Sequence, residues 1–412
     1  MDSAESSIHI LKEVGILKKK DQRSILVLST LSMIMAFSVW SILSPVAGRI
    51  QEMYGLSGIE KSILVAIPVL LGSVMRIPIG ILADRLGGRR VYVFTLLFLT
   101  IPLIGASFTS SYVGLLVCAF FIGMAGTTFA VSIAYVSRCY PPEKQGLILG
   151  IAGIGNLGSA VASFAVPQLV NLWGLPWMFR IFALAIVIMA LIFWLGTIDL
   201  PKSKDRKKLK NSLDVMKYKD TWILSGYYFL TFGGFVSFSI YLPILFQELH
   251  HLDPVKAGFF TGIFVIGATI VRPVGGYLSD KLGASKVLNV VFTTIFLTTV
   301  LIAFWNESFP LFIAACFGLA VMLGIGNGAV FKRVAEVSRG NIGAVAGVVG
   351  AAGGLGGFFP PIVLGLIKDY FGDFTLGFIC LAMFALACLI YNIETIRSIF
   401  ISKKEDRVSS LP

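Results

Sequence analysis

Two stretches of this 412-residue chain, MRIPIGILADRLGGRR at residues 75–90 and VRPVGGYLSDKLGASK at residues 271–286, share one pattern. In each, an arginine within an apolar run precedes an aspartate by eight residues: Arg76 precedes Asp84, and Arg272 precedes Asp280. Eight residues of α-helix span about 12 Å of a hydrocarbon layer that is about 30 Å thick. We therefore expect both arginines near the middle of a membrane, where a charge is expensive and usually functional.

The composition fixes the class of protein. Hydrophobic residues make up 56% of the chain and charged residues 14%, and the mean hydropathy is +0.87. A soluble protein cannot bury so much apolar surface, so we predict an all-α membrane protein with lipid as its main solvent. The net charge of +12 does not indicate a nucleic-acid partner, because Lys and Arg fall mostly in short loops, as the positive-inside rule predicts.

Twelve apolar runs follow one another along the chain. They lie near residues 24–46, 61–83, 90–110, 112–138, 146–171, 177–198, 221–247, 256–280, 285–305, 309–334, 341–368 and 372–396. Most can span a bilayer as helices, some of them with tilt. Because the arginine motif recurs six helices later, we predict twelve transmembrane helices in two six-helix halves with the same orientation.

This organisation divides the chain into five parts. We predict an N-terminal tail at 1–23, a six-helix bundle at 24–198, a basic linker at 199–220, a second bundle at 221–396 and a C-terminal tail at 397–412. The basic clusters all fall on one side if the helices alternate, so the linker and both tails are expected in the cytoplasm. We expect a monomer in the cytoplasmic membrane.

No cofactor, metal site or enzymatic activity is expected. The five cysteines lie in or at the ends of apolar runs, their number is odd and no CxxC occurs, which indicates free buried thiols. His250 and His251 are adjacent and cannot both face one metal ion from a helix. No catalytic cluster of His, Cys or carboxylate falls at depth in the membrane.

Arg76 and Arg272, one from each half, suit a small oxyanion. A guanidinium group donates two parallel hydrogen bonds and stays charged at any relevant pH. The rival interpretation pairs each arginine with a buried carboxylate, but almost no Asp or Glu falls at mid-helix depth. A membrane interior that is positive when empty favours anion binding.

Other polar and aromatic residues fall at a similar depth. Tyr228 and Phe232 are one helical turn apart and share a face. The remaining candidates are Phe129, Asn156 and Asn327. Ordinary helix packing is the alternative for each of them alone. Their shared depth favours a site in which rings sandwich a flat anion while Tyr and Asn donate hydrogen bonds.

Three further groups are candidates for gating, packing or coupling. Glycines three or four residues apart allow helices to touch or to slide past one another; they are Gly153, Gly155, Gly158, Gly350, Gly353, Gly354 and Gly356. Asp84 and Asp280 can form contacts at helix ends that break when one side of the protein opens. Lys332 is a candidate for proton coupling or, alternatively, an ordinary lysine that extends to the membrane surface.

The whole chain resembles the major facilitator superfamily, and its motifs are most similar to those of the nitrate/nitrite porter family. That family carries one anion-binding arginine in each of its second and eighth helices, which Arg76 and Arg272 match. Its two glycine-rich signatures resemble GIAGIGNLGSAVASFAVP at 150–167 and GVVGAAGGLGGFFPP at 347–361. Tyr228 and Phe232 match a seventh-helix Tyr and Phe that border the family's substrate. Phe129 matches the family's fourth-helix aromatic wall, and Asn156 falls on the signature Asn.

The chain departs from the family pattern at two places. Thr128 stands where the family often has Asn before the fourth-helix Phe, and Val334–Ala335 stands where it commonly has Val-Pro. Both departures bear on substrate preference and coupling.

The resemblance implies a secondary active transporter of nitrate and/or nitrite that works by alternating access. Two modes stay open: nitrate/nitrite exchange, which is electrically neutral, and proton-coupled uptake, which needs a titratable group. The alternative functions are a porter for another small anion, such as cyanate or a short carboxylate, and an anion sensor that does not transport.

Overall fold

The computed structural model describes residues 18–140, 151–200, 214–337 and 342–409. Within these ranges all regular structure is helical and no β-strand occurs. The all-α prediction is confirmed. Most of the predicted N-terminal tail and most of the basic linker lie outside the described residues.

The first half contains helices α1 to α6. Their bounds are Lys19–Tyr54 for α1, Gly58–Val74 with Arg76–Leu86 for α2, Gly88–Phe108 for α3 and Tyr112–Ser137 for α4. The last two helices share one continuous stretch, Ile151–Gly196, in which α5 is residues 151–173 and α6 is residues 175–196. Gly174 separates the last two with φ 81° and ψ 168°. A positive φ is tolerated by glycine because it has no Cβ, so Gly174 lets the chain turn within one residue.

The second half contains helices α7 to α12. Their bounds are Lys219–His250 for α7, Pro254–Leu282 for α8, Ala284–Trp305 for α9, Phe309–Val337 for α10, Ile342–Leu355 with Phe359–Phe371 for α11, and Thr375–Ser409 for α12. One π-helical turn, Phe229–Gly233, interrupts α7.

The number of membrane-spanning helices agrees with the sequence pattern. Among the described residues, ten helices are long and apolar enough to cross a membrane, or up to eleven if the bent α2 is counted as one span. Gly174 divides the longest of them into two of the predicted runs. The described helices therefore account for all twelve runs.

Prolines explain the two breaks in α2 and α11. The two segments of α2 meet at Met75 with a bend of 42°. Pro78 lies three residues later and has no N–H to donate to the preceding turn, so the helix is weakened there. In α11 the second segment begins at Phe359, directly before Pro360 and Pro361, and proline is well tolerated in the first turn of a helix.

The two halves contact each other most extensively through α5 with α8 and α2 with α11, and α1 and α2 both contact α7 as well. Close approach of α5 and α8 depends on glycine. A Cβ at Gly258 would overlap the carbonyl of Ser163, and one at Gly262 would overlap the ring of Phe164. Small residues allow this contact because they let helix backbones meet.

The two ends of the bundle differ in charge. We call the end that holds Arg85, Arg89, Arg90, Lys281 and Lys286 the basic end. There, Arg89 and Arg90 lie 3.6 and 3.5 Å from the carboxylate of Asp199, at the end of α6. The opposite end holds the last residues of α1, α7 and α11 and the first turn of α2 and of α8.

Candidate functional site

Arg76 lies where the two halves meet. It is the first residue after the bend in α2, and 5% of its surface is exposed. Its Nε donates to the carbonyl of Gly126 in α4 (3.2 Å), and its Nη1 donates to the carbonyl of Gly350 in α11 (3.4 Å). One bond stays within the first half and the other reaches the second half. The buried Nη2 has no hydrogen-bond partner.

Three aromatic rings surround the Arg76 guanidinium. Its Cζ lies 5.4 Å from the ring centres of Phe129 and Phe232 and 5.9 Å from that of Trp40. A cation within about 6 Å of a ring centre is attracted by the ring's electrons. The rings therefore hold the group in place without neutralising it.

Arg272 approaches the same region from α8. It is half-buried, and its Nη2 donates to the hydroxyl of Tyr228 (3.1 Å). Its Cζ lies 5.8 Å from the ring centre of Phe331. Its Nη1 is buried and has no hydrogen-bond partner.

Tyr228 and Phe232 connect the two arginines. Their ring centres are 5.0 Å apart and their planes differ by 4°, so the rings are stacked. The π-helical turn of α7 begins directly after Tyr228 and contains Phe232. Arg76 lies against Phe232 and Arg272 bonds to Tyr228, so one cation from each half contacts a single aromatic stack.

Neither arginine is neutralised by the described part of the protein. The ion pairs formed by described residues involve other cations, and neither Arg76 nor Arg272 lies within salt-bridge distance of a described carboxylate. Two buried guanidinium nitrogens, one on each arginine, also lack hydrogen bonds. A buried donor without a partner is destabilising, so this arrangement fits a ligand with negatively charged oxygens.

Glycines of α11 bring this helix against the site. A Cβ at Gly353 would overlap the ring of Tyr228, and one at Gly354 would overlap the side chain of Ser73 and lie 3.4 Å from Nη1 of Arg76. Gly356 packs on the backbone of α7. Gly350 has open space where a side chain would be, and its carbonyl is the group that meets Arg76.

The α5 glycines have a different neighbour. Gly155 packs against Met33 and Gly158 against the carbonyl of Ile34, both in α1, whereas Gly153 faces open space. Close packing therefore explains two of these three positions.

The two predicted asparagines are buried near the middle of their helices. Asn156 is 2% exposed and lies in a short 3-10 turn of α5, and Asn327 is 3% exposed in α10. The Oδ1 of each has no hydrogen-bond partner. The structure does not join either amide to Arg76 or Arg272 by a hydrogen bond, so these four described side chains form no continuous network.

Lys332 lies at the basic end rather than in the site. Its Nζ is 2.6 Å from Oδ1 of Asp280, and the two side chains are 38% and 59% exposed. This agrees with a lysine that extends to the membrane surface. Asp84 lies in the second segment of α2, and its side chain lies outside what the structure describes.

Trp40 and Phe331 contact the arginines but were not predicted. For Phe331 the sequence holds a partial signal: α4 contains TTFAVSIAYVSR and α10 runs into AVFKRVAEVSR, and alignment of the shared VSR places Phe129 opposite Val330, one residue before Phe331. Each ring lies near the arginine of its own half. Trp40 has no comparable signal.

The described residues hold no group of three or more His, Cys, Asp or Glu side chains that could bind a metal ion. The five cysteines are free.

Comparison with known proteins places the chain in a family. A model of the Major Facilitator Superfamily matches residues 29–361 and 224–398. The "Nitrite extrusion protein" of Bacillus subtilis (strain 168) is 36% identical over 364 residues, which are 88% of this chain and 92% of that protein. The "Probable nitrate transporter NarT" of Staphylococcus carnosus (strain TM300) is 37% identical over 366 residues, 89% of this chain and 94% of its own.

Solved structures agree on the fold. A bacterial homolog to the human lysosomal transporter Spinster, in an inward-facing and occupied conformation, superposes with a TM-score of 0.74 at 17% identity, covering 92% of this chain and 98% of that one. The same homolog in an inward-facing and unoccupied conformation gives a TM-score of 0.71 at 16% identity, with the same shares covered. The chain is a multi-pass membrane protein that belongs to the major facilitator superfamily, a family of transporters rather than enzymes.

Proposed function

We propose that this protein carries nitrate and nitrite across the cytoplasmic membrane by alternating access of its two halves, 24–198 and 221–396. The observation that supports it best is the pair of cations, Arg76 and Arg272, which approach one aromatic stack from opposite halves without a carboxylate partner. The relatives named for nitrate transport and nitrite extrusion support the same substrates.

The geometry suits a small planar oxyanion. The free Nη2 of Arg76 and the free Nη1 of Arg272 are donors that an oxygen atom on each side of the anion can satisfy. Phe129, Tyr228 and Phe232 bound the space with flat rings, which fit a flat ligand. Asn156 and Asn327 add polar contacts in this proposal, once the halves move.

We propose exchange of one anion for the other as the transport mode. Two unpaired cations in the membrane interior make the empty site unfavourable, and a bound anion relieves this. Exchange also moves no net charge, whereas an uncompensated monoanion works against about 2.3 kcal/mol per 100 mV of membrane potential. The pairing of Lys332 with Asp280 gives no support to a proton-coupling role for that lysine.

The proposed orientation puts the basic end, the linker and both termini in the cytoplasm, because clustered Lys and Arg next to membrane helices mark the cytoplasmic side. The opposite end then faces outward, and we call it the outer end below. We propose that one copy of the chain is sufficient for transport, since each half supplies one of the two cations.

The test is nitrate uptake into proteoliposomes preloaded with nitrite. We expect Arg76→Ala and Arg272→Ala each to reduce exchange to the level of empty liposomes. Arg180→Ala is the matched control: Arg180 lies in α6, stacked near Phe108 and Trp177 and away from the site, so exchange should persist.

Two results would count against the proposal. Transport at the parent rate in both site variants would refute the anion site. Uptake that formate or cyanate supports or blocks more strongly than nitrate does would move the assignment to another small anion.

A further inference from the structure

The first turn of α2, at the outer end, makes three polar contacts with the second half. They join Lys61 to Glu248 as an ion pair, the hydroxyl of Ser62 to that of Tyr241 (3.0 Å), and the N–H of Ile59 to the carboxylate of Asp369 (2.8 Å). We call these six residues the α2 latch. Its partners lie near the ends of α7 and α11, so every contact crosses between the halves.

The ion pair in the latch is unequally buried. The side chain of Lys61 is 3% exposed, and that of Glu248 is 25% exposed. A lysine removed from water needs a counter-charge, and removing that partner is strongly destabilising. Since the two residues belong to different halves, the pair has to separate when the halves move apart at this end.

Two glycines allow the latch to form. A Cβ at Gly58 would overlap the carboxylate of Asp369, and a Cβ at Gly365 would overlap the hydroxyl of Ser62. The backbones of α2 and α11 can approach this closely because both positions lack side chains. These two glycines therefore permit close contact between the halves where α2 meets α11.

Three ion pairs at the basic end differ from the latch, because each lies within one half. There, Arg89 and Arg90 pair with Asp199 within the first half, and Lys332 pairs with Asp280 within the second. These pairs can persist while the halves move. The Lys61–Glu248 pair cannot persist, because its two residues lie in different halves.

We infer that the α2 latch holds the transporter closed at its outer end, and that the Lys61–Glu248 pair sets how often this end opens. This inference rests on the alternating access and orientation of the proposed function. It assigns to Lys61 and Glu248 a role that the anion site does not need.

The unequal burial predicts an order of effects. Glu248→Gln leaves a deeply buried ammonium group without a counter-charge, which penalises the closed state strongly. Lys61→Met leaves a carboxylate that already has partial access to water, so the penalty is smaller. Glu248→Gln should therefore open the outer end more than Lys61→Met does.

The experiment measures the distance between spin labels at Glu52 and Glu307, which are exposed positions at the outer end, one in each half. The labels are introduced into a variant without the native cysteines, and the protein is studied in lipid nanodiscs. We expect Glu248→Gln to raise the ratio of long to short distances about tenfold or more. The double exchange of Lys61→Glu with Glu248→Lys should return the ratio towards that of the parent. Asp253→Asn is the matched control, because Asp253 pairs with Lys256 at the same end but within one half (3.4 Å).

An unchanged distance distribution in both Glu248→Gln and Lys61→Met would overturn the latch, and so would an equal shift in Asp253→Asn. If Glu248→Gln does not fold, Ser62→Ala removes the contact with Tyr241 while keeping both charges, and it should shift the ratio in the same direction by less. The distances are measured without added nitrate or nitrite, so the measurement does not require the proposed substrate to bind. If the parent protein does not exchange nitrate but the variants still change the distance distribution, the proposed substrate is rejected and the inference about the latch is retained.

Discussion

The two arginines of the site are held differently. Arg76 is fixed by two backbone carbonyls and three rings, whereas the polar contact of Arg272 is the hydroxyl of Tyr228. Because this hydroxyl accepts a hydrogen bond from Arg272, its own proton remains available to donate to an anion. Tyr228 is therefore both a support for one cation and a donor in the proposed site.

Tyr228→Phe should raise the KM for nitrate about tenfold or more, because a hydrogen bond to a charged group contributes about 1.5–3 kcal/mol. The kcat should change less, since both arginines remain. Tyr227→Phe is the control: Tyr227 is buried against Phe292 of α9, its hydroxyl has no hydrogen-bond partner, and its loss should leave the KM unchanged. Equal KM values in concentration series for Tyr228→Phe and the parent would remove Tyr228 from the site.

At the scale of the helix, the glycines of α11 allow it to pack closely against both α2 and α7. Gly354→Ala would push a methyl group into Ser73 and against Arg76, and overpacking of this kind is destabilising by about 1–3 kcal/mol. We expect the exchange rate to fall at least about tenfold, because a factor of ten corresponds to about 1.4 kcal/mol, which lies within the range given for overpacking. Gly347→Ala lies on the same helix with open space around it and should transport at the parent rate. Equal rates for the two variants would show that α11 need not approach α2 so closely.

The sequence predicted the helices better than their irregularities. Twelve apolar runs and a repeated arginine were sufficient for the fold, because spanning length and apolar composition are properties of the chain alone. Pro78 also marks the bend beside Arg76. No comparable residue predicts the π-helical turn that contains Phe232. This turn packs against α11, where Gly356 meets the backbone of Gly233, and a contact between distant helices cannot be read from a local stretch of sequence.

The candidate site was predicted in part for a related reason. An arginine in an apolar helix is conspicuous, so Arg76 and Arg272 could be found without a structure. In helices that are apolar on every side, periodicity does not reveal which face an aromatic residue occupies. Trp40 therefore became visible only when the helices were placed against one another, whereas Phe331 could have been suspected from the internal repeat.

For the whole molecule, exchange of two monoanions predicts that transport is insensitive to voltage. In nitrite-loaded proteoliposomes, nitrate uptake should be the same with and without a potassium diffusion potential set by valinomycin, because no net charge crosses. A pH gradient should also leave the rate unchanged. Acceleration by an inward proton gradient in liposomes without internal nitrite would instead establish proton-coupled uptake.

Because Gly174 alone connects α5 to α6, the two helices cannot move far independently of each other. α5 lies directly against α8 of the other half, while the first turn of α6 presents Trp177, which is 56% exposed. Tryptophan favours the level of the lipid headgroups, so we expect a tilt of α5 to move α6 relative to the surrounding lipid. We therefore expect the transport rate to depend on bilayer thickness and to be highest where the hydrocarbon layer suits both tilts of this helical hairpin.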